Sequence, residues 1–469
     1  GLGRKLPHYG KYSFVGFEGT EPANVLKGQW PESDSPLRAD LRPAERRAAP
    51  LPALAPESRK ALAELPPAFS QARLAAHVAA LAAPALEGRG LGTAGERSAA
   101  EYVAAGMKAA GLSPAGDEGT FFQRFRVEKT ASGAPADVAN VVGLLPGSDP
   151  AWKEESVVVV AHYDHLGRGW PDARSEFAGQ VHPGADDNAS GVAVLLELAR
   201  ALKDEKPRRS VVFLAVTGEE AGRLGSKRWV AGPSSRDAKK TLAAVNLDTV
   251  GRLGSGKLQV LGTGTAGEWI HAVRGASWVT GVETKAVPET LEASDHVSFV
   301  EVGVPAVQLF TGAHLDYHRP SDTAEKVDVP GLAKVAAVAK ELVSWLGGRE
   351  QPLAVSIPKK EELAHGASAD PVPPGPAGSR PGRRVSFGTV PDFAFEGPGV
   401  RVDSVVPGSP AERAGVAAGD VLLRLEGRPV ASLRDYAERL RAMAPGQAVR
   451  ATFVRGGKEI ELVVTLAER

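Results

Sequence analysis

Four consecutive valines, Val157–Val160, run through Ala161 into His162-Tyr163-Asp164-His165. A β-branched apolar run without alternation is a strand buried on both faces. It commits the chain to a sheet covered by helices on either side. The run stops on an imidazole and a carboxylate, at the carboxyl edge where open α/β sheets bind ligands. A polar loop follows, and then His182 to Gly191, HPGADDNASG, places two carboxylates in a small-residue turn before an apolar helix. Any one of these residues could be a satisfied polar group at a turn. Together they are the donor types a metal site needs.

The same pattern recurs along the chain. Val211–Val216 runs into Thr217-Gly218-Glu219-Glu220, Ala243–Leu247 into Asp248, and Val304–Phe310 into a loop carrying LDYHRPSDT with His318. Between these runs lie helical patterns: Leu74, Val78 and Leu81 after Ser70, an Ala-rich stretch ending near Gly111, Gly191–Lys203, and a closing helix from Pro330. Strands alternating with helices predict a mixed, mostly parallel central sheet covered on both faces. The strand ends collect two imidazoles, three carboxylates and one spare glutamate. That count suits two metal ions bridged by one carboxylate, and a spare glutamate beside a ligand is the natural general base.

Other readings fall away. Lys+Arg and Asp+Glu each number 56, so no dominant nucleic-acid or membrane-surface role follows from charge. No apolar run approaches the ~20 residues of a membrane span. Cysteine is absent, which removes disulfides and thiolate ligands and leaves the compartment open. Two GxGxxG matches, Gly90–Gly95 and Gly262–Gly267, read as tight loops: the first follows no clear strand and the second lacks a clean βαβ continuation.

Residues 1–68 read as an N-terminal segment and Pro/Ala-rich linker, with one short helix near Ser58–Leu65. The first residue is Gly1, which suggests a processed or truncated start and the tail of a missing upstream domain. Residues 69–350 form the α/β domain, 351–384 a flexible linker without periodicity, and 385–469 a small β-rich domain.

The order HYD, GADDNASG, TGEE, NLD, SDH and YHRPSDT, with the lead-in LEGRGLGTAGE, resembles the zinc-dependent aminopeptidase family, which also contains glutamate carboxypeptidase and glutaminyl cyclase. The resemblance spans about Ser70 to Gly347 and implies the zinc exopeptidase fold with two Zn2+ ions. It implies His162 and Asp248 on one ion, Glu220 and His318 on the other, and Asp187 as the bridge. Glu219 matches the general base, and Asp164 the carboxylate holding the His162 ring by its other nitrogen. Tyr317 falls where some members place a tyrosine near the substrate carbonyl. Asn188 stands where some members have a third consecutive Asp. With that ligand set full, His165, His182, His296 and His314 read as hydrogen-bonding or loop residues.

The C-terminal run V.PGSPAERAG...GDVLL.L.G resembles a PDZ domain of the bacterial protease type. That resemblance makes Ser386-Phe387-Gly388-Thr389 a carboxylate loop and Ser432–Met443 the groove helix. Its partner would be the C-terminus of a peptide or protein, added as a strand, unless the groove is closed and the domain a spacer. The whole therefore reads as a two-zinc aminopeptidase acting on peptide substrates, with a periplasmic or secreted location implied by the family. A carboxypeptidase, a glutaminyl cyclase and a non-catalytic PDZ peptide-binding protein are the alternatives.

Overall fold

The structure, a computed structural model, describes residues 69–468 apart from 174, 233–239, 291–293, 358–384, 393–394 and 396. The expected N-terminal segment with its helix near Ser58, and most of the expected linker, lie outside the described residues.

Helix α1 (Gln71–Leu81) starts where Ser70 accepts a hydrogen bond from Arg73 N, and it buries Leu74, Val78 and Leu81. Helix α2 (Ala94–Ala109) is capped in the same way by Thr93. The sheet strands are β1 (Ser113–Pro114), β2 (Phe122–Val127), β3 (Ala136–Leu145), β4 (Ser156–His162), β5 (Ser210–Val216), β6 (Thr241–Leu247), β7 (Leu258–Leu261), β8 (Thr284–Val287) and β9 (Ala306–Phe310). They run in the order β1-β3-β5-β4-β6-β9-β7-β8, with β2 also paired to β3. The sheet is mixed, and its parallel pairings β5-β4-β6-β9 occupy the centre. Antiparallel pairing enters at β3 on one side and β7 on the other. Every residue of β4 and of β5 is buried, as the unalternating runs required.

Helix α3 (Gly191–Leu202) packs on one face, followed in the chain by α4 (Leu224–Ala231), α5 (Trp269–Thr280), α6 (His296–Val300) and α7 (Val329–Gly348). The larger core joins α1, α2, α3, α5 and α7 to one face of the sheet, and a smaller one lies on the opposite face around Val158, Val160, Phe299 and Trp229. No helix among the described residues is long and apolar enough to cross a membrane.

One reading is refined and one needs correcting. The second GxGxxG does enter a βαβ unit of β7, α5 and the parallel β8, but β8 ends on Val287 without the acidic residue that a dinucleotide site needs. The loop's amides are also taken by its own chain: Gly262 N donates to Glu289 O and Gly264 N to Pro288 O, so the loop cradles no phosphate. The linker expected from residue 351 begins later. Leu353 is buried, Ser356 N donates to Thr265 O, and Val355 bridges Ala266. These residues belong to the α/β domain.

The C-terminal part holds β10 (Val385–Ser386), β11 (Thr389–Pro391), β12 (Val400–Val405), α8 (Pro410–Arg413), β13 (Val421–Leu425), β14 (Arg428–Pro429), α9 (Leu433–Arg441), β15 (Ala448–Arg455), β16 (Lys458–Thr465) and β17 (Ala467–Glu468). One sheet runs β11-β12-β13-β15-β16, and β10 pairs with β17. Its own core gathers Phe387, Tyr436, Leu440 and Phe453.

Candidate metal centre

The carboxyl ends of β4, β5 and β6 and two loops converge on one buried cluster. His162 closes β4, and its Nε2 lies 3.2 Å from Asp187 Oδ1 and 3.4 Å from Asp248 Oδ1. His318 Nε2 lies 3.2 Å from Asp187 Oδ2 and 3.2 Å from Glu220 Oε2. Asp187 therefore stands between two half-sites with one oxygen toward each. Asp187 Oδ2, Glu220 Oε1 and both His318 nitrogens are buried without a hydrogen-bond partner in the described structure.

These spacings test whether a metal fits. Four donors about 2.0–2.1 Å from a tetrahedral zinc ion stand about 3.3 Å from one another. Carboxylates and imidazoles held at that spacing, without the alignment of hydrogen bonds, fit a cation between them. The residues present fit zinc.

The cluster is built from behind. Asp187 lies in a wide turn over 185–190, where Asp322 Oδ2 accepts from Asp186 N at 3.0 Å and Asp187 N at 3.1 Å. Asp322 in turn receives Arg252 at 3.2 Å. Asp186 points the other way, accepting from Gly251 N and lying 3.1 Å from His314 Nε2. Below the strand ends, Arg89 is 1% exposed and donates to the carbonyls of Leu81, Tyr163, Pro183 and Gly184. It thus ties the loop after β4 to the Asp187 turn. Glu87, Gly88 and Arg89 all take left-handed φ, and a Cβ on Gly88 would meet His182 O at 2.2 Å. Glu96, from the same lead-in, accepts from Tyr163 Oη and Thr217 Oγ1.

Asp164 is buried, but His162 Nδ1 sits 3.1 Å from the Asp164 main-chain oxygen and 3.8 Å from its carboxylate. The ring is oriented by the carbonyl. The carboxylate instead accepts from Glu219 N at 3.2 Å, so the side chain expected to hold His162 positions the glutamate turn. Tyr317 stacks on His318 at 4.0 Å and is 42% exposed, at the mouth of the cluster.

The two neighbouring glutamates meet different surroundings. Burial pushes both carboxyls up. For Glu220 the imidazoles of His318 and His165 outweigh it and hold the group at about 2. For Glu219 burial prevails over His162, with Asp295, Glu220 and Asp248 adding to it, and the carboxyl stands well above the usual range. The two adjacent carboxyls are thus shifted in opposite directions.

Of the four remaining imidazoles, His182 Nδ1 meets Gln180 O at 2.9 Å, His296 is buried in α6 and His314 faces Asp186. His165 lies nearest the proposed ligands. Its Nδ1 lies 2.8 Å from Glu220 Oε1, inside the cluster. In the C-terminal part, Ser386 ends β10, Phe387 is buried, Gly388 has φ 93° and Thr389 begins β11, its Oγ1 2.9 Å from Tyr436 Oη.

A helix-covered sheet delivering His, Asp and Glu to one point at its carboxyl edge is an arrangement that could hold metal ions. Residues 140–343 match the profile of peptidase family M28, and residues 379–466 match that of the PDZ domain. It is similar to Aminopeptidase YwaD of Bacillus subtilis, 30% identical over 181 residues, 36% of either chain. A probable leucine aminopeptidase of Trichophyton verrucosum is 30% identical over 224 residues, 44% of this chain and 57% of that one. The chain thus spans less than two thirds of the length of these curated relatives. Among solved structures, the zinc aminopeptidase BSAP from Bacillus subtilis is 19% identical, covering 63% of this chain and all of that one, with a TM-score of 0.49.

Proposed function

We propose that the chain is a two-zinc exopeptidase that removes N-terminal residues from peptides. The observation that carries this is the shared Asp187 carboxylate, with one oxygen 3.2 Å from His162 Nε2 and the other 3.2 Å from His318 Nε2. His162, Asp248 and Asp187 would hold one ion, and Glu220, His318 and Asp187 the other. Zinc bound there supplies a Lewis acid that acidifies water and polarises a carbonyl. Glu219, its main chain fixed on Asp164, takes the proton of the attacking water on its carboxylate and returns it to the leaving amine. Tyr317 stands at the mouth, within reach of a substrate carbonyl. The relatives named as aminopeptidases support the choice of the peptide N-terminus.

The PDZ domain would take the C-terminus of a peptide or protein between β11 and α9. The carbonyls of Phe387 and Gly388 are occupied by Ala411 N and Val406 N, which leaves the loop's amides as the donors for a carboxylate.

The test is zinc content together with turnover of three substrate sets: aminoacyl-nitroanilides, N-blocked peptides with free C-termini, and glutaminyl peptides. Two zinc equivalents, and hydrolysis of the first set that chelation abolishes, are expected. Turnover confined to the second or third set would replace the aminopeptidase reading with a carboxypeptidase or a cyclase.

A further inference from the structure

We propose that His165 is a further metal ligand: its Nδ1 joins Glu220, His318 and the shared Asp187 in holding one ion. The inference rests on the zinc reading above and adds to it a third imidazole and an inequality between the two half-sites.

His165 is buried, and neither of its ring nitrogens has a hydrogen-bond partner in the described structure. A buried imidazole normally satisfies its N–H. Nδ1 stands 2.8 Å from Glu220 Oε1 and 3.8 Å from Asp187 Oδ2. At 2.8 Å an aligned N–H and carboxylate would form a strong hydrogen bond. Neither Nδ1 nor Oε1 has a hydrogen-bond partner in the described structure. His165, Asp187 and Glu220 each offer a donor atom, and these atoms lie within 4.8 Å of one another, a grouping that could hold an ion. An imidazole that merely oriented Glu220 from outside would point its N–H at the oxygen.

The ring is held where it is. His165 N donates to Arg89 O at 3.2 Å, and the residue bridges Gly90 in the lead-in loop. On its other side lies Gly184, with φ 58°, where a Cβ would stand 2.5 Å from ring atoms Cγ and Cδ2. Only glycine supplies both that backbone and that space. His318 meets the ring edge-on, with centroids 5.7 Å apart.

The consequence is an asymmetric pair. His165, Asp187 and Glu220 group their donor atoms, and His318 Nε2 lies 3.2 Å from both carboxylates, so this half-site would have four donors, whereas His162, Asp248 and Asp187 make three. Closed sets of four are the pattern of firmly held zinc, and sets of three leave a position for water or substrate. The ion beside His165 is therefore the tighter one, and the ion beside His162 the more exchangeable.

X-ray absorption at the zinc edge of the full-length, zinc-loaded protein counts imidazoles without any substitution. Three shared between two ions is the expected result, and two overturns the proposal. In His165→Gln, competition with a chromophoric chelator should show one zinc equivalent weakened by more than the ~100-fold upper range for an outer partner, with the other unchanged. Two unaltered affinities would sink the inference. Should that variant not fold, the absorption count on the unsubstituted protein decides alone. Zinc at two equivalents with hydrolysis but only two imidazoles removes His165 and leaves the peptidase reading standing. A protein that takes up no zinc removes both.

Discussion

At the amino ends of β4 and β5, Arg209 is buried, and its guanidinium is spent on Glu155 at 2.8 Å and the Arg349 carbonyl, under the Trp152 ring. Around the carboxyl ends of the same strands, Asp187, Glu220, His165 and His318 carry buried atoms that no hydrogen bond satisfies in the described structure. One sheet thus treats buried charge in two ways. At the first end the buried guanidinium finds its partners within the chain, and the result is structural. At the second the groups converge on one another, and only something outside the chain completes them. The difference locates the site more sharply than any count of acidic residues.

The largest effect should come from breaking the chemistry at the second end without disturbing its donors. Glu219→Gln should lower the turnover of an aminoacyl-nitroanilide by about 10²–10⁴-fold while zinc content stays at the level of the unsubstituted protein. Loss of a zinc equivalent in this variant would show that Glu219 and Glu220 have exchanged roles.

Arg89 joins the two kinds of region, since it is a satisfied buried cation whose partners frame the unsatisfied cluster. Burial lowers its pKa to about 10, against Asp164, Asp187, Asp322 and Glu220, so it stays charged at neutral pH. Arg89→Met strands the carbonyls of Leu81, Tyr163, Pro183 and Gly184. Denaturant unfolding of the zinc-loaded variant should show a loss of about 3–5 kcal/mol. A loss below about 1 kcal/mol would mean that the loops hold themselves.

A satisfied charge can also be undone by pH. Glu197 on α3 is 1% exposed and receives Arg73 Nε at 2.9 Å and 3.0 Å. Burial raises its carboxyl, but the bonds from His77 and Arg73 more than reverse this and hold it at about 2, against 4.5 for the free group. The folded value is depressed, so its contribution is complete above about 4.5 and is lost as pH falls through about 2. Some 2.5 units correspond to about 3 kcal/mol. Stability of Glu197→Gln measured against the unsubstituted protein should differ by about that much at pH 6 and converge toward pH 2. A difference independent of pH would assign the residue to packing alone.

Much of the second end is legible in the sequence because buried strands leave unbroken apolar runs. His162, Glu219, Glu220 and Asp248 stand directly after such runs, so strand and donor are read together. β2 was not legible, because FQRFRV is an edge strand whose two arginines interrupt its apolar residues. Arg89 and Asp322 were hidden for another reason. Each acts on main-chain groups far away in sequence, and no spacing encodes that Asp322 will meet the amides of residues 186 and 187. The place of His165 was hidden in the same way, since no spacing tells that an imidazole three residues after His162 folds back to lie 2.8 Å from Glu220.

The smallest effect should come from removing the region furthest in sequence from the cluster's donors, and it depends on where the α/β domain ends. Cutting at residue 348 would discard Leu353, which joins the larger core, and the bridge from Val355 to Ala266. Cutting after residue 357 keeps both. The cluster donors all lie before residue 319, and the C-terminal sheet has a core of its own. A chain ending at residue 357 should therefore bind zinc and cleave small aminoacyl substrates within about twofold of the full-length rate, while one ending at 348 should melt at a lower temperature. If the PDZ groove recruits peptides to the catalytic domain, only longer substrates should suffer, through a raised KM at unchanged kcat. A shorter chain inactive on small substrates would instead show that the C-terminal region completes the catalytic domain, and the division at residue 357 would have to be abandoned.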